Sequence, residues 1–179
     1  MGKSTLARRY VDDRPLTLLV EIDAIRVSIG GWQRHDETKL LARSLALAMA
    51  EAHLGAGHDV IVPQYLGRTE FITTLAEAAR RAGAEFVEAL VLADEDAVAH
   101  RFRARRAELL EDGHLHPETD IADQDIGPAV AEACAALRRI AEERPWTYGL
   151  RLDDGVETAR RALEAAVAEA RRTPPTVGR

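Results

Sequence analysis

The chain has 179 residues, of which 46% are hydrophobic and 30% charged, and its formal net charge is −6 at pH 7. This balance is typical of a globular protein and excludes a disordered chain, and the length suffices for one domain with its own core. The negative net charge argues against a general nucleic-acid binder, because such proteins need a basic surface to neutralise phosphates. No apolar run reaches the roughly 20 residues of a membrane span, so we expect no membrane partner.

Helical and extended patterns alternate along the chain. A helix in KSTLARRYVDD precedes four short apolar runs that predict strands, in 16–23, 58–66, 84–94 and 146–154. Helices are predicted between them, over 36–57, 68–83, 95–112 and around Cys134, and a last one over 156–172 precedes a loose tail at 173–179. Asp36 is the predicted N-cap of the second helix, and Gly55, Gly57 and Gly83 are predicted helix stops.

This alternation predicts an α/β fold with a mainly parallel sheet covered by helices on both faces. Parallel sheets of this kind bind ligands at the carboxyl ends of their strands. Three polar residues lie at predicted strand ends: Asp23, Gln64 and Asp94. We therefore expect the chemistry of the protein at this edge of the sheet.

The first residues, MGKST, match the end of the phosphate-binding pattern G-x-x-x-x-G-K-[ST]. In that pattern Gly2 lets the backbone approach a phosphate, Lys3 reaches the β- and γ-phosphates, and the Ser4 hydroxyl joins the Mg²⁺ shell. The amides that start the following helix, including that of Thr5, attract the anion. The alternative is that Ser4 or Thr5 merely caps a surface helix.

The single cysteine, Cys134, excludes an intramolecular disulfide and favours a reducing, cytoplasmic location. It lies in the apolar helical segment AVAEACAALRRI, so we predict a packed thiol rather than a nucleophile. The polar stretch GHLHPETDIADQD contains two histidines and several aspartates but no recognised metal-ligand spacing. We therefore interpret it as a mobile loop rather than a metal site.

A family resemblance rests on five segments: GKSTLARRY, LVEIDAIR, HDVIVPQYLGR, VLADEDAVAHRFRARR and RLDDG. Together they resemble the small P-loop kinases of the zeta-toxin, chloramphenicol-phosphotransferase, gluconate-kinase and polynucleotide-kinase group. The resemblance extends from Gly2 to about Gly155. It implies one kinase-like domain over 1–172 with a lid at about 101–127. It also implies a five-stranded parallel sheet in the order 2-3-1-4-5, with ATP and Mg²⁺ held after strand 1.

The resemblance also assigns roles to residues of this sequence. Asp23 would accept the proton of a substrate hydroxyl and Arg26 would bind the acceptor. Gln64 takes the place where many such enzymes have a metal-shell aspartate, so it could orient substrate but supplies no charge. Arg101 and Arg105, four apart on one helix, would clamp the phosphates together with Lys3, while the segment RLDDG would lie near adenine. Each feature also has an alternative without a catalytic role. Asp23 would cap a helix, the arginines would form a basic helix face exposed to solvent, and RLDDG would be an ordinary turn.

We therefore expect an ATP-dependent kinase that phosphorylates a hydroxyl of an unknown small molecule, with the oligomeric state left open. The alternatives are a nucleotide-binding or partner-binding protein without turnover, and an inactive, truncated form. The truncated form is an alternative because strand 1 and the first half of the phosphate loop have no counterpart in the sequence. We accordingly expect the natural polypeptide to begin upstream, with Met1 inside the loop.

Overall fold

The computed structural model describes residues 2–67, 69–113 and 116–172. Within these ranges the structure is α/β and has seven α-helices, one short 3₁₀ helix at Pro117–Asp120 and four parallel strands. The α-helices are α1 Lys3–Asp12, α2 Ile22–Ser28, α3 Thr38–Gly55, α4 Thr69–Arg81, α5 Glu95–Glu111, α6 Asp123–Glu143 and α7 Val156–Arg172. The strands are β1 Leu18–Leu19, β2 Val60–Ile61, β3 Ala89–Leu92 and β4 Tyr148–Arg151.

The four strands form two separate pairs rather than one sheet. Strand β1 pairs with β2 in the register Leu18 to Val60, and β3 pairs with β4 in the register Ala89 to Tyr148. Both pairings are parallel, as the helices between the strands predict. In the predicted order 2-3-1-4-5, strands 2 and 3 are neighbours and strands 4 and 5 are neighbours, and the two observed pairs match this. Among the described residues, β2 and β3 do not pair with each other.

The buried side chains form three clusters around this divided sheet. One joins α1, β4 and α7, a second joins the end of β1 to α2 and α3, and a third lies between α5 and α6. Ile126, Leu150 and Val20 are among the most completely buried side chains. Burial of such a side chain contributes about 1.5–3 kcal/mol, so each cluster is a substantial part of the stability.

Several predicted boundaries are corrected by the structure. Asp36 is not the N-cap of α3, because the helix begins at Thr38 and Asp36 instead forms an ion pair with Lys39 at 2.9 Å. The predicted glycine stops are confirmed: α3 ends at Gly55, and α4 ends two residues before Gly83, whose φ of +69° favours glycine.

The polar stretch after α5 is not the long loop that was predicted. Its second half forms the 3₁₀ helix Pro117–Asp120 and then the first turn of α6, which begins at Asp123. His114 lies outside the described residues, and so does the tail 173–179. The proposed lid at 101–127 therefore consists largely of helix, since α5 supplies its first half.

Glu88 and Arg144 form a largely buried ion pair that ties β3 to the end of α6. Arg144 donates from Nε and Nη2 to the carboxylate at 2.6–2.9 Å, and the Thr147 hydroxyl donates to it at 2.8 Å. The Arg144 side chain is only 16% exposed and the Glu88 side chain only 10%. A charge left without its partner in such a place costs several kcal/mol.

We expect Glu88→Ala to lower the free energy of unfolding by about 3 kcal/mol, because it leaves the Arg144 guanidinium without its carboxylate. Urea unfolding followed by circular dichroism measures this loss. The matched control is Glu142→Ala, on the exposed face of α6, which should change the value by about 0.5 kcal/mol at most. Equal losses for the two variants would contradict the structural role of the pair.

Candidate functional site

The residue before α1 has a backbone conformation that favours glycine. Gly2 has φ of +106°, in the left-handed region, and it stands at the N-cap position of α1. A Cβ atom added there would lie 2.5 Å from Cδ1 of Leu152, the residue that follows β4. The contact also places the start of α1 at the carboxyl edge of the β3–β4 pair.

The first turn of α1 leaves its amides available to a ligand. The first backbone hydrogen bond of the helix runs from the Leu6 amide to the Gly2 carbonyl at 2.8 Å, and no side chain caps the helix in the described part of the chain. The amides of Lys3, Ser4 and Thr5 precede that bond, so they are the unpaired donors of the helix start. Uncapped amides and the helix dipole together favour a bound anion, which is what the phosphate-loop prediction requires.

Lys3 is a partly buried cation surrounded by the other charges of the predicted site. Burial lowers the pKa of its ammonium below the usual value, and the nearby cation Arg105 acts in the same direction. The carboxylates of Glu118 and Asp23 oppose this shift and stabilise the charge. The structure thus brings three predicted residues, Lys3, Asp23 and Arg105, within electrostatic reach of one another.

Asp23 lies in a different secondary-structure element from the one predicted. It does not end a strand, since β1 stops at Leu19, and it lies instead in the first turn of α2. The strand is short because the chain turns into helix at Ile22, whose side chain is buried against the cluster under α3. The carboxylate is half-buried and remains at the carboxyl edge of the β1–β2 pair.

Arg26 contacts side chains at the connection between α2 and α3. Its Nε lies 3.4 Å from the Thr38 hydroxyl, and its guanidinium lies 5.0 Å from the centre of the Trp32 ring. Thr38 is buried and donates to the His35 carbonyl at 2.6 Å. These contacts give Arg26 a structural function at the α2–α3 connection, so its role in binding an acceptor stays a prediction.

The two arginines predicted to clamp the phosphates occupy different environments. Nε of Arg105 lies 3.2 Å from Oε2 of Glu118, and this arginine contributes to the field at Lys3. Arg101 is exposed and makes no ion pair within the described ranges. Of the two arginines, Arg105 is therefore the one whose charge acts on Lys3 at the start of α1.

Glu118 is the residue of this site that sequence reasoning missed. It belongs to the 3₁₀ helix Pro117–Asp120, whose start is capped by His116 Nδ1, which accepts from the Glu118 amide at 3.2 Å. The Glu118 side chain is 19% exposed, and its Oε2 is shielded from solvent. The one sequence signal was the proline at the start of a turn in HPETD, which predicts a helix start but not its contacts.

The remaining predicted residues lie close to the same edge. Gln64 follows β2 by three residues and lines one apolar cavity together with Lys3. Asp94 caps α5, accepting from the Ala97 amide at 3.0 Å. The Asp94 amide in turn lies 3.5 Å from Oδ1 of Asp153 in the RLDDG segment. The carboxyl ends of β3 and β4 therefore meet as predicted.

Two residues outside the site behave as ordinary parts of the fold. Cys134 packs against the α5–α6 cluster, and burial raises the pKa of its thiol, which makes it a poorer nucleophile. His116 serves as the cap described above. Among the described residues, no group of three or more His, Cys, Asp or Glu side chains could hold a metal ion.

These features together define a class of protein. A glycine in the left-handed conformation, a lysine and a serine at a helix start, and parallel strands that end nearby are typical of the class of P-loop α/β proteins. A comparison with family models bears this out, since the model described as an AAA domain matches residues 1–124. The chain belongs to this family, and the membership indicates a nucleotide-binding P-loop protein.

Comparisons with curated proteins and with solved structures gave no match. Among the described residues, no helix combines the length and the apolar character that crossing a membrane requires.

Proposed function

We propose that the protein is a kinase that transfers the γ-phosphate of ATP to a hydroxyl group of a small molecule. The observation that carries the proposal is the grouping of Lys3, Asp23 and Arg105 at the uncapped start of α1. Phosphoryl transfer needs mainly positioning and stabilisation of charge, and this group contains two cations for the phosphates and one carboxylate for the acceptor.

In this proposal each residue has a defined task. The amides of Lys3, Ser4 and Thr5 bind the phosphates, and the ammonium of Lys3 neutralises charge on the β- and γ-oxygens. The Ser4 hydroxyl would hold Mg²⁺ bound with ATP, and the metal would supply further neutralisation of the transferring phosphoryl group. Asp23 accepts the proton of the attacking hydroxyl, and Arg105 stabilises the charge that develops on the phosphate.

A second candidate is a nucleotide-binding protein that does not turn over. The specific observation in its favour is the sequence after β2, where Pro63 and Gln64 stand in place of the carboxylate that many P-loop enzymes carry. The nearest acidic residue, Asp59, precedes β2 and is bound by Arg171 at 2.6 Å. It therefore lies at the opposite edge of the sheet from the phosphate loop.

One experiment separates the two functions. The protein is incubated with ATP, Mg²⁺ and pools of sugars, nucleosides and hydroxyl-bearing antibiotics, and products are detected by the mass of an added phosphoryl group. We expect one pool to yield a phosphorylated product with equimolar ADP. ATP binding without any phosphorylated product would support the second candidate and contradict the kinase.

Glu118 provides a further prediction about the same site, because its carboxylate stands beside two cations proposed to bind phosphate. We expect Glu118→Gln to strengthen ATP binding by about 10-fold, since a negative charge near the phosphates is removed. Isothermal titration calorimetry at a fixed salt concentration measures this change. The control is Glu111→Gln at the exposed end of α5, which should leave the affinity within about twofold. A weaker ATP affinity in Glu118→Gln would show that the carboxylate supports the site instead of competing with the nucleotide.

A further inference from the structure

Helix α3 turns its small apolar side chains inward and its large ones outward. Its buried face has three alanines four residues apart, each at most 3% exposed: Ala42, Ala46 and Ala50. Leu41, Leu45 and Met49 each precede one of these alanines, and they are between 42% and 50% exposed. The helix of a single globular chain normally has the reverse arrangement, with large apolar side chains in the core and polar ones outside.

The outward face of α3 is a continuous apolar stripe. Residues 44–50, SLALAMA, make about two turns of helix without a charged side chain on any face. Leu41, Leu45, Ala48 and Ala52 are all exposed and follow one another at intervals of four, three and four residues. Intervals of this kind place side chains in one narrow row and are typical of a seam between two helices. We call these four residues the α3 seam.

Two further exposed leucines border the α3 seam. Leu40 and Leu16 are each more than half exposed. The turn that contains Leu16 lies against the end of α3, because Nε2 of His53 is 2.7 Å from the Leu16 carbonyl oxygen. Nine large hydrophobic side chains are exposed among the described residues, and five of them belong to α3 or to this turn. Such a concentration of exposed apolar surface marks an interaction site.

The α3 seam is complementary to itself. Its first half carries two leucines and its second half two alanines. If a second copy packed antiparallel across a twofold axis, Leu41 would face Ala52 of the second copy and Leu45 would face Ala48 of the second copy. Each large side chain would then meet a small one, as facing helices require in order to interdigitate, and the axis would repeat every contact. A parallel pair in register would instead set leucine against leucine and alanine against alanine.

The size of this contact is that of a weak dimer. Helix α3 has 18 residues and is therefore about 27 Å long. A helix is about 10 Å across, so the contact would bury roughly 400–500 Å² on each copy, or roughly 800–1,000 Å² in total. That total lies at the lower end of specific interfaces. Since the seam carries no charge, its burial removes no ion from water.

We propose that the α3 seam is the interface of a homodimer in which the α3 helices of two copies pack antiparallel. The match between the leucine half and the alanine half is the reason for choosing a second copy as the occupant, since an unrelated partner would need no such match. The proposal does not depend on nucleotide binding, because α3 supplies none of the residues assigned to ATP.

Sedimentation equilibrium of the whole chain tests the dimer. Between about 5 and 500 µM we expect the mass to rise from 19.6 kDa towards twice that value, with a dissociation constant of about 100 µM. Leu45→Glu introduces a charge in the middle of the seam and should weaken the dimer by about 100-fold or more. Leu110→Glu on α5 is the matched control, because Leu110 is 50% exposed and Leu45 48%. It should leave the dissociation constant within about twofold.

Ala48→Leu tests the antiparallel packing itself. In the proposed seam the larger side chain collides with Leu45 of the second copy, so the dissociation constant should rise by about 10-fold. On a surface that is merely apolar, the added area would strengthen association instead. Urea unfolding checks that each variant stays folded, and the measurement on the original chain does not depend on any variant. A monomer at every concentration, equal losses in Leu45→Glu and Leu110→Glu, or tighter association of Ala48→Leu would each overturn the proposal.

Discussion

Lys3→Met should weaken ATP binding by about 100-fold, the largest effect on nucleotide affinity of any single substitution in the proposed site. The lysine contributes charge-assisted hydrogen bonds to the phosphates, each worth about 1.5–3 kcal/mol, and methionine retains the length of the side chain without its charge. The chain offers a matched control, because it contains one other lysine, Lys39, which pairs with Asp36 on the surface. Lys39→Met should leave the affinity within about twofold. Equal losses for the two variants would contradict a phosphate-binding role for Lys3.

Although Lys3→Met should weaken ATP binding, we do not expect it to destabilise the nucleotide-free protein. Burial lowers the pKa of Lys3 below 10.5, so the unfolded chain binds this proton more tightly than the folded chain. The free energy of unfolding should therefore rise with pH between the lowered pKa and 10.5. Lys3→Met should remove this dependence and should not lower the unfolding midpoint of the nucleotide-free protein. A clearly lower midpoint would indicate that Lys3 is mainly structural.

Asp23→Asn should reduce formation of the phosphorylated product by about 10³-fold, because the amide cannot accept the proton of the attacking hydroxyl. Binding of ATP should stay within about threefold of the original, since the proposed role of Asp23 concerns the acceptor. Steady-state rates and calorimetry on the same preparation measure the two quantities. Asp12→Asn at the exposed end of α1 is the control and should change neither. An unchanged rate in Asp23→Asn would exclude it as the base, and a lost ATP affinity would place it in the nucleotide site.

Much of the fold could be predicted from the sequence because its signals are local. Apolar periodicity and glycine stops located six of the seven helices, and short apolar runs located all four strands. The predicted strands were longer than the observed ones, since a run such as LTLLVEID does not show where buried residues pass from strand to helix. The residue pair Ile22–Asp23 was assigned to the strand for this reason, although it begins α2.

The site was predicted less completely, for a reason that is also physical. Gly2, Lys3 and Ser4 carry a motif whose spacing reflects the chemistry of phosphate binding, so their positions could be stated in advance. The contacts of Glu118 and Arg26 arise only when neighbouring elements pack against each other in the fold. Glu118 belongs to a short turn that meets α5, and Arg26 is held by Trp32. No periodicity along the chain encodes such contacts.

The division of the sheet connects these results. The resemblance to P-loop kinases implied one five-stranded parallel sheet, whereas the structure has two separate parallel pairs and an apolar cavity that residues of both pairs line. We expect ATP to bind at the start of α1, where Lys3, Asp23 and Arg105 lie within electrostatic reach of one another.

A titration of the ¹⁵N-labelled chain with ATP and Mg²⁺, followed by amide NMR spectra, tests the central claim most directly because it detects weak binding and locates it. We predict that the largest shifts occur at the amides of Lys3, Ser4 and Thr5, with smaller ones at Asp23 and Arg105. No shift at millimolar ATP, or shifts confined to residues away from the start of α1, would contradict the assignment of this site to a nucleotide.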